Sequence, residues 1–313
     1  MTSLEECLPA EMRGRATITK IQAGLSGAGV YKVEHEGRAY ALKVTSADAP
    51  FEEWCTRLAT QRLAAESKVA PPIVYVDEGR RAVLSEFAAG SFMALLANPQ
   101  ARDSTITGLG RLLRGVHSLP IPAGAREGDG RVRMSDAAGW LGDDDAVPSF
   151  MHDAVRRELA TTSPVSGRAP VLSHNDVNPS NLALDGERLL LLDWDVTSPN
   201  DPYYDLGTLA AFMRLDETSS LALLSAYEGH EVSELPPRFI ADKRLVGVTV
   251  GTGFVVLARR SGHPGDAGAT IESTVPLAEV SRKFRSGELS LATPAGQWLY
   301  GLGMVREAVL QPS

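Results

Sequence analysis

The chain has 313 residues, with 31 Lys and Arg against 39 Asp and Glu, a formal charge of −8. At 43% hydrophobic and 22% charged residues the composition is globular, which excludes a disordered chain and a disulfide-built scaffold. The acidic balance argues against nucleic acid as the main partner, because a phosphate-binding face needs clustered Lys and Arg, and it leaves room for a cationic small molecule. Cys7 and Cys55 fit neither zinc nor disulfide spacing, which points to a reducing compartment. The most apolar stretch, 245–258, is too short for a membrane span and holds Gly251 and Gly253, and the N-terminus lacks the basic start and apolar core of a signal peptide. The expectation is a cytoplasmic protein with no membrane partner, as a monomer or a homodimer.

The first ninety residues read as strands with one inserted helix. Residues 16–22 alternate apolar and polar, a glycine-bearing turn covers 24–29, and a second alternating run follows at 30–33. Glu36-Gly37 is a hairpin turn into a strand over 38–44. Trp54, Leu58 and Leu63 give helical spacing over 51–65, and Pro71-Pro72 stop that helix before strands at 73–76 and 82–86. After Gly90 helices take over, at 104–118 and 149–161, with a loop expected at 123–136. Two short apolar strands, 182–184 and 189–192, are joined by Asp185-Gly186. Helices are then expected near 204–214, 218–228, 238–258, 272–284 and 295–310. The pattern predicts an α+β fold with a strand-rich lobe over 1–89 and a helical lobe over 90–313.

The chemistry concentrates in Ser173-His174-Asn175-Asp176-Val177-Asn178-Pro179-Ser180-Asn181 and in Leu189 to Asp195. Phosphoryl transfer from a nucleotide needs a carboxylate for the attacking hydroxyl and two oxygen ligands for magnesium. Asp176 and Asn181, five positions apart, and Asp193 at the end of an apolar strand supply that set, with His174 just before the base. Taken singly, Asp176 beside Asn178-Pro179 also reads as a turn residue, and Asp193 as a helix cap. The joint pattern, H-x-D-x-x-x-x-N followed by D, reads as a catalytic site.

These segments resemble the aminoglycoside phosphotransferase and choline kinase superfamily, small-molecule kinases with a protein-kinase-like two-lobed fold. The resemblance runs over roughly residues 18 to 300, with its specific motifs in 24–43 and 172–207. It implies Asp176 as catalytic base, Asn181 and Asp193 as Mg2+ ligands, and His174 as the residue bracing the loop. Asn200 to Leu206 resembles the segment after the metal loop in choline- and thiamine-kinase-like members, where Asp205 would start a helix. In the N-terminal lobe, Ser26, Gly27 and Gly29 would present donors to the phosphates of ATP, and Lys43 would hold them. The backbone of Glu86 to Ala88 would meet the adenine edge. Such kinases pair the lysine with a helix glutamate, and here Glu52 and Glu53 start the helix, Glu66 ends it, and Arg57 and Gln61 fill its middle.

The implied acceptor is a hydroxyl of a small, amine-bearing metabolite, with Trp194, Asp195 and Tyr203 as candidate contacts, since aromatic faces and carboxylates suit a cationic amine. Tyr203 and Tyr204 equally suit packing against the loop. Asp143 to Asp145 reads as a solvated loop. An antibiotic kinase is the alternative acceptor class, and a non-catalytic nucleotide-binding pseudokinase the alternative of another kind. Protein phosphorylation is disfavoured, because no D-F-G or A-P-E segment follows Asp193.

Overall fold

Alternation of inward and outward residues produces the expected first sheet. The computed structural model describes residues 4–310 except 22–28, 93, 94, 96, 97, 123, 124, 126, 127 and 129. Strands β1 (Thr17–Lys20), β2 (Gly29–His35), β3 (Arg38–Val44), β4 (Ile73–Asp77) and β5 (Ala82–Glu86) form an antiparallel sheet in the order β1-β2-β3-β5-β4. The β2–β3 turn is Glu36-Gly37, with φ of +48° and +75°. Two left-handed residues in a row give a turn whose twist matches the strands, and glycine takes the second position at no steric cost.

Helix α1 (Phe51–Glu66) lies between β3 and β4 in sequence. Val33, Tyr40, Leu42, Ala82 and Leu84 are buried on one sheet face with Cys7, Leu8 and Met12 of the N-terminal turns. Val83, on the other face, packs with Trp54 and Leu58 of α1. Because side chains alternate along a strand, Lys43 belongs to the α1 face, opposite Tyr40 and Leu42.

Helix α2 (Arg102–His117) buries Ile106, Leu109, Leu113 and Val116. The catalytic segment is framed by short strands: β6 (Gly90–Ser91), β8 (Leu182–Asp185) and β9 (Arg188–Leu191) form one sheet, and β7 (Val171–Ser173) pairs with β10 (Ser198–Asn200). The remaining helices are α3 (Gly130–Leu141), α4 (Ser149–Ala160), α5 (Pro202–Met213), α6 (Glu217–Glu228), α7 (Pro237–Arg260), α8 (Leu277–Arg285) and α9 (Pro294–Leu310). Two compact units result: residues 1–126, 171–199 and 222–231, and residues 127–170, 200–221 and 232–313. The first unit takes in both the strand-rich segment 1–89 and the catalytic segment.

The core of the second unit joins Met134, Ala137, Met151, Val248, Val255, Leu302 and Val305. One close helix contact there is a glycine pair. A Cβ on Gly251 would come within 2.7 Å of the Gly301 carbonyl oxygen, and one on Gly301 within 2.6 Å of that of Gly251. Only hydrogen fits on both sides, so α7 and α9 meet backbone to backbone.

Two expectations are corrected. The loop expected at 123–136 is helical from Gly130, because Met134, Ala137 and Leu141 find a core to enter. The helix expected from 272 starts only at Leu277, where Pro276 precedes it in an extended conformation. None of the described helices is long and apolar enough to cross a membrane.

Candidate active site

The candidate catalytic loop leaves β7 at Ser173 and is held from below. His174 is fully buried, and its Nε2–H donates to the Leu192 carbonyl at 2.9 Å. Its ring meets Trp194 edge-on, with centroids 5.0 Å apart. Asn175 has φ of +62°, a left-handed conformation that Asn tolerates better than most residues. Its amide nitrogen lies 2.8 Å from Ser198 Oγ and 3.2 Å from the carbonyls of Ser173, Val196 and Ser198, so it ties the loop to the β10 segment. No motif in the sequence pointed to Asn175; the need for it appears only once the backbone turns left-handed there.

Asp176 then sits half-buried between two neutral amides. Its Oδ1 accepts from Asn178 Nδ2 at 2.9 Å, and its Oδ2 accepts from Asn181 Nδ2 at 2.8 Å. Asn178 also caps the single turn over Pro179–Asn181, accepting from the Ser180 N–H at 2.9 Å. Asn181 spends its amide nitrogen on Asp176, so its carbonyl oxygen is the atom left to meet a cation. The proline-containing turn seen in the sequence is thus the device that sets the Asp–Asn spacing.

Asp193 follows β9 in the left-handed region, with φ of +59°. Lys43 Nζ lies 2.7 Å from Asp193 Oδ1 and 2.7 Å from Asp195 Oδ2. An ammonium therefore bridges two converging carboxylates whose side chains are about a third exposed, 32% and 31%. That bridge shows that the spot accepts positive charge. Carboxylate and amide oxygens are the hard donors magnesium takes, so Asp193 and Asn181 fit the ion. Among the described residues no group of three His, Cys, Asp or Glu could hold a metal. Two protein oxygens, one from Asp193 and one from Asn181, suit an ion that takes waters and phosphate oxygens as its other ligands, as magnesium does.

The other expected residues are distributed as follows. Ser26 and Gly27 lie outside the described residues, whereas Gly29 opens β2 opposite Val44. Glu86 ends β5 with its side chain exposed and its N–H on the Pro72 carbonyl at 2.9 Å, and Ala88 follows, half-buried, in the link to β6. Glu52, Glu53 and Glu66 are all exposed, and Glu53 faces Arg57 at 3.3 Å. The charge partners of Lys43 are Asp193 and Asp195.

Trp194 and Tyr203, expected to line an acceptor pocket, are inward-facing. Trp194 is 3% exposed and donates its indole N–H to Leu191, because the loop needs an apolar backing for His174. Tyr203 is 6% exposed in the second unit, with the Arg168 guanidinium 5.2 Å from its ring centre. Asp201 caps α5, accepting from the Tyr203 N–H at 3.0 Å, and Asp205, expected at the start of a helix, is fully buried in its first turn. Asp195 is taken up by Lys43.

Residues 17–238 match the model of the phosphotransferase enzyme family. A curated relative, Protein LicA of Haemophilus influenzae, is 35% identical over 54 residues, 17% of this chain and about a fifth (20%) of that protein. A choline/ethanolamine kinase family protein from Mesorhizobium loti has 19% identity and a TM-score of 0.58, covering 95% of this chain and 94% of that one. A spectinomycin phosphotransferase, solved with ADP and its antibiotic, has 15% identity and a TM-score of 0.56, covering 93% of each chain. At these identities the solved structures establish the shared fold, that of small-molecule kinases.

Proposed function

We propose that this chain, which belongs to the phosphotransferase enzyme family, transfers the terminal phosphoryl group of ATP to a hydroxyl of a small, amine-bearing molecule. The observation that carries this is Asp176 held between the amides of Asn178 and Asn181, with Asp193 and Lys43 in the same unit. An acid fixed by neutral donors keeps its charge and its orientation, which is what orienting and deprotonating a hydroxyl requires.

In the transfer the acceptor oxygen bonds to phosphorus, the bond to the ADP oxygen breaks, and the hydroxyl proton passes to Asp176. Asn181 fixes Asp176 through its amide nitrogen and turns its carbonyl oxygen outward. His174 and Asn175 keep the loop from moving as the proton is taken. Lys43 neutralises phosphate charge from β3. Magnesium, when bound by Asn181 and Asp193, supplies charge neutralisation on the phosphates.

The amine-bearing acceptor is supported by the likeness to a choline/ethanolamine kinase family protein. An antibiotic acceptor is the second reading, supported by the likeness to the spectinomycin phosphotransferase. The test is ADP release from ATP and magnesium over choline, ethanolamine, thiamine, homoserine, aminoglycosides and macrolides, with wild type and Asp176→Ala. Turnover on an amino alcohol that vanishes in the variant supports the first reading, and turnover on an antibiotic alone replaces it with the second. Nucleotide binding with no turnover on any acceptor would favour the pseudokinase.

A further inference from the structure

We infer that Asp195 is the anchor of Lys43, in place of the helix glutamate that kinases use for their phosphate-holding lysine, and that Gln61 is the neutral residue standing at that helix position. The inference rests on the phosphotransferase reading and adds a positioning residue to it. Protein kinases need the strand lysine paired to an acid on the neighbouring helix before phosphates are held in place. Here α1 carries Trp54 and Leu58 inward, and the next residue on that face, three positions on, is Gln61. Gln61 is half-buried, and its Nε2 lies 3.5 Å from Ser85 Oγ. Ser85 pairs with Ala41 in the sheet, two residues before Lys43 and on the same face. The helix therefore offers an uncharged amide where an acid would reach the lysine, and its glutamates are all exposed.

The missing charge is supplied from the loop. Lys43 Nζ is equally close to Asp193 and Asp195, at 2.7 Å each. The two acids are not equivalent once a magnesium–nucleotide complex is present, since Asp193 follows the strand that positions it as a metal ligand. Asp195 is then the acid that stays with the ammonium. The arrangement moves the anchor from α1 to the metal loop itself, so lysine and metal ligand are set by one short stretch, Asp193-Trp194-Asp195, with Trp194 buried between them.

The test compares wild type, Asp195→Asn and Asp195→Asn/Gln61→Glu, with calorimetric binding of ATP with and without magnesium and steady-state kinetics on whichever acceptor is turned over. Asp195→Asn is expected to weaken ATP binding about tenfold, the worth of one charge-assisted contact, in the metal-free titration as well. KM for ATP should rise more than kcat falls, and excess magnesium should leave the defect in place. Adding Gln61→Glu should restore most of the binding, because an acid returns to the helix face beside Lys43. Rescue also shows that Asp195→Asn is compatible with a folded, nucleotide-binding protein, and the melting temperature of the single variant checks its own folding. A defect cured by magnesium and untouched by Gln61→Glu would make Asp195 a metal ligand and overturn the inference. Wild-type affinity in Asp195→Asn would overturn it too. Failure of the wild type to bind ATP would overturn the phosphotransferase reading, and this inference with it.

Discussion

Two regions hide carboxylates and hold them by different means. In the candidate catalytic segment, Asp176 is gripped by the side-chain amides of Asn178 and Asn181. In the helical unit, Glu158 accepts from Arg244 Nε at 2.6 Å, and the fully buried Asp242 from Arg238 Nε at 2.8 Å. A guanidinium cancels the charge it binds and makes the acid part of the scaffold. An amide fixes direction without cancelling charge, so the acid keeps its capacity to take a proton or attract a cation. On the proposed function, the partner, more than the burial, separates the acid that reacts from the acids that support. Lys43 falls between these cases, since its ammonium bridges two acids at the edge of solvent.

The sharpest way to break this comparison is to remove one acid from each region. Asp176→Ala should lower kcat about a thousandfold, within the span that general acid–base groups contribute, while the melting temperature stays close to wild type. Loss of folding, or unchanged turnover, would refute its role as base. Glu158→Gln should do the reverse, because it leaves Arg244 charged and largely buried. The expected cost is about 3 kcal/mol in denaturant unfolding, typical of breaking a buried pair from one side, with turnover per folded molecule unchanged.

A third variant separates the loop's clamp from its chemistry. Asn175→Ala removes the donor to Ser198 and to the carbonyls of Ser173, Val196 and Ser198, and puts alanine where φ is +62°. Unfolding measurements should show a loss of about 2 kcal/mol, from carbonyls left without a donor and from left-handed strain. Turnover should fall with it, since the loop no longer holds Asp176 firmly. Asn175→Gly, which removes the strain alone, should recover only part. If Gly restores the wild-type value, the hydrogen bonds contribute nothing.

The candidate site residues were legible because their geometry is local. A carboxylate, a proline-containing turn and an amide five positions later can be read along the chain, and so can the apolar strand that delivers Asp193. What failed to show in the sequence depends on partners far away. Helix α3 has Arg131, Arg133, Asp136 and Gly139 in a dozen residues and looks like a loop until Met134 and Leu141 are seen entering a core shared with α7, more than a hundred residues later. Trp194 beside two acids looked like a cation-binding face, yet a ring packed on buried His174 leaves no face to offer. The acids that face Lys43 are not on α1: Asp193 and Asp195 lie 150 and 152 positions further along the chain. Long-range pairing is the part that composition and periodicity do not encode.

The smallest expected effect uses the same ion-pair chemistry at lower burial. The stretch Asp143 to Asp145 read as a solvated loop, but Asp144 accepts from Arg259 Nε at 2.8 Å and from a second guanidinium nitrogen at 3.2 Å. Its side chain is 30% exposed, against 6% for Glu158, so water already screens most of the charge. The hydrogen bonds from Arg259 hold the Asp144 carboxyl below its ordinary value of 3.8. A lowered carboxyl pKa stabilises the fold at pH above the unfolded value, and that contribution disappears as pH falls through the folded one. Asp144→Asn should therefore cost no more than about 1 kcal/mol at neutral pH. The difference from wild type should shrink in high salt and vanish in acid, below the pH at which Asp144 is protonated in both states. A cost as large as that of Glu158→Gln would mean that burial does not set the value of these pairs. The division between supporting and reacting acids would then rest on the identity of the partner alone.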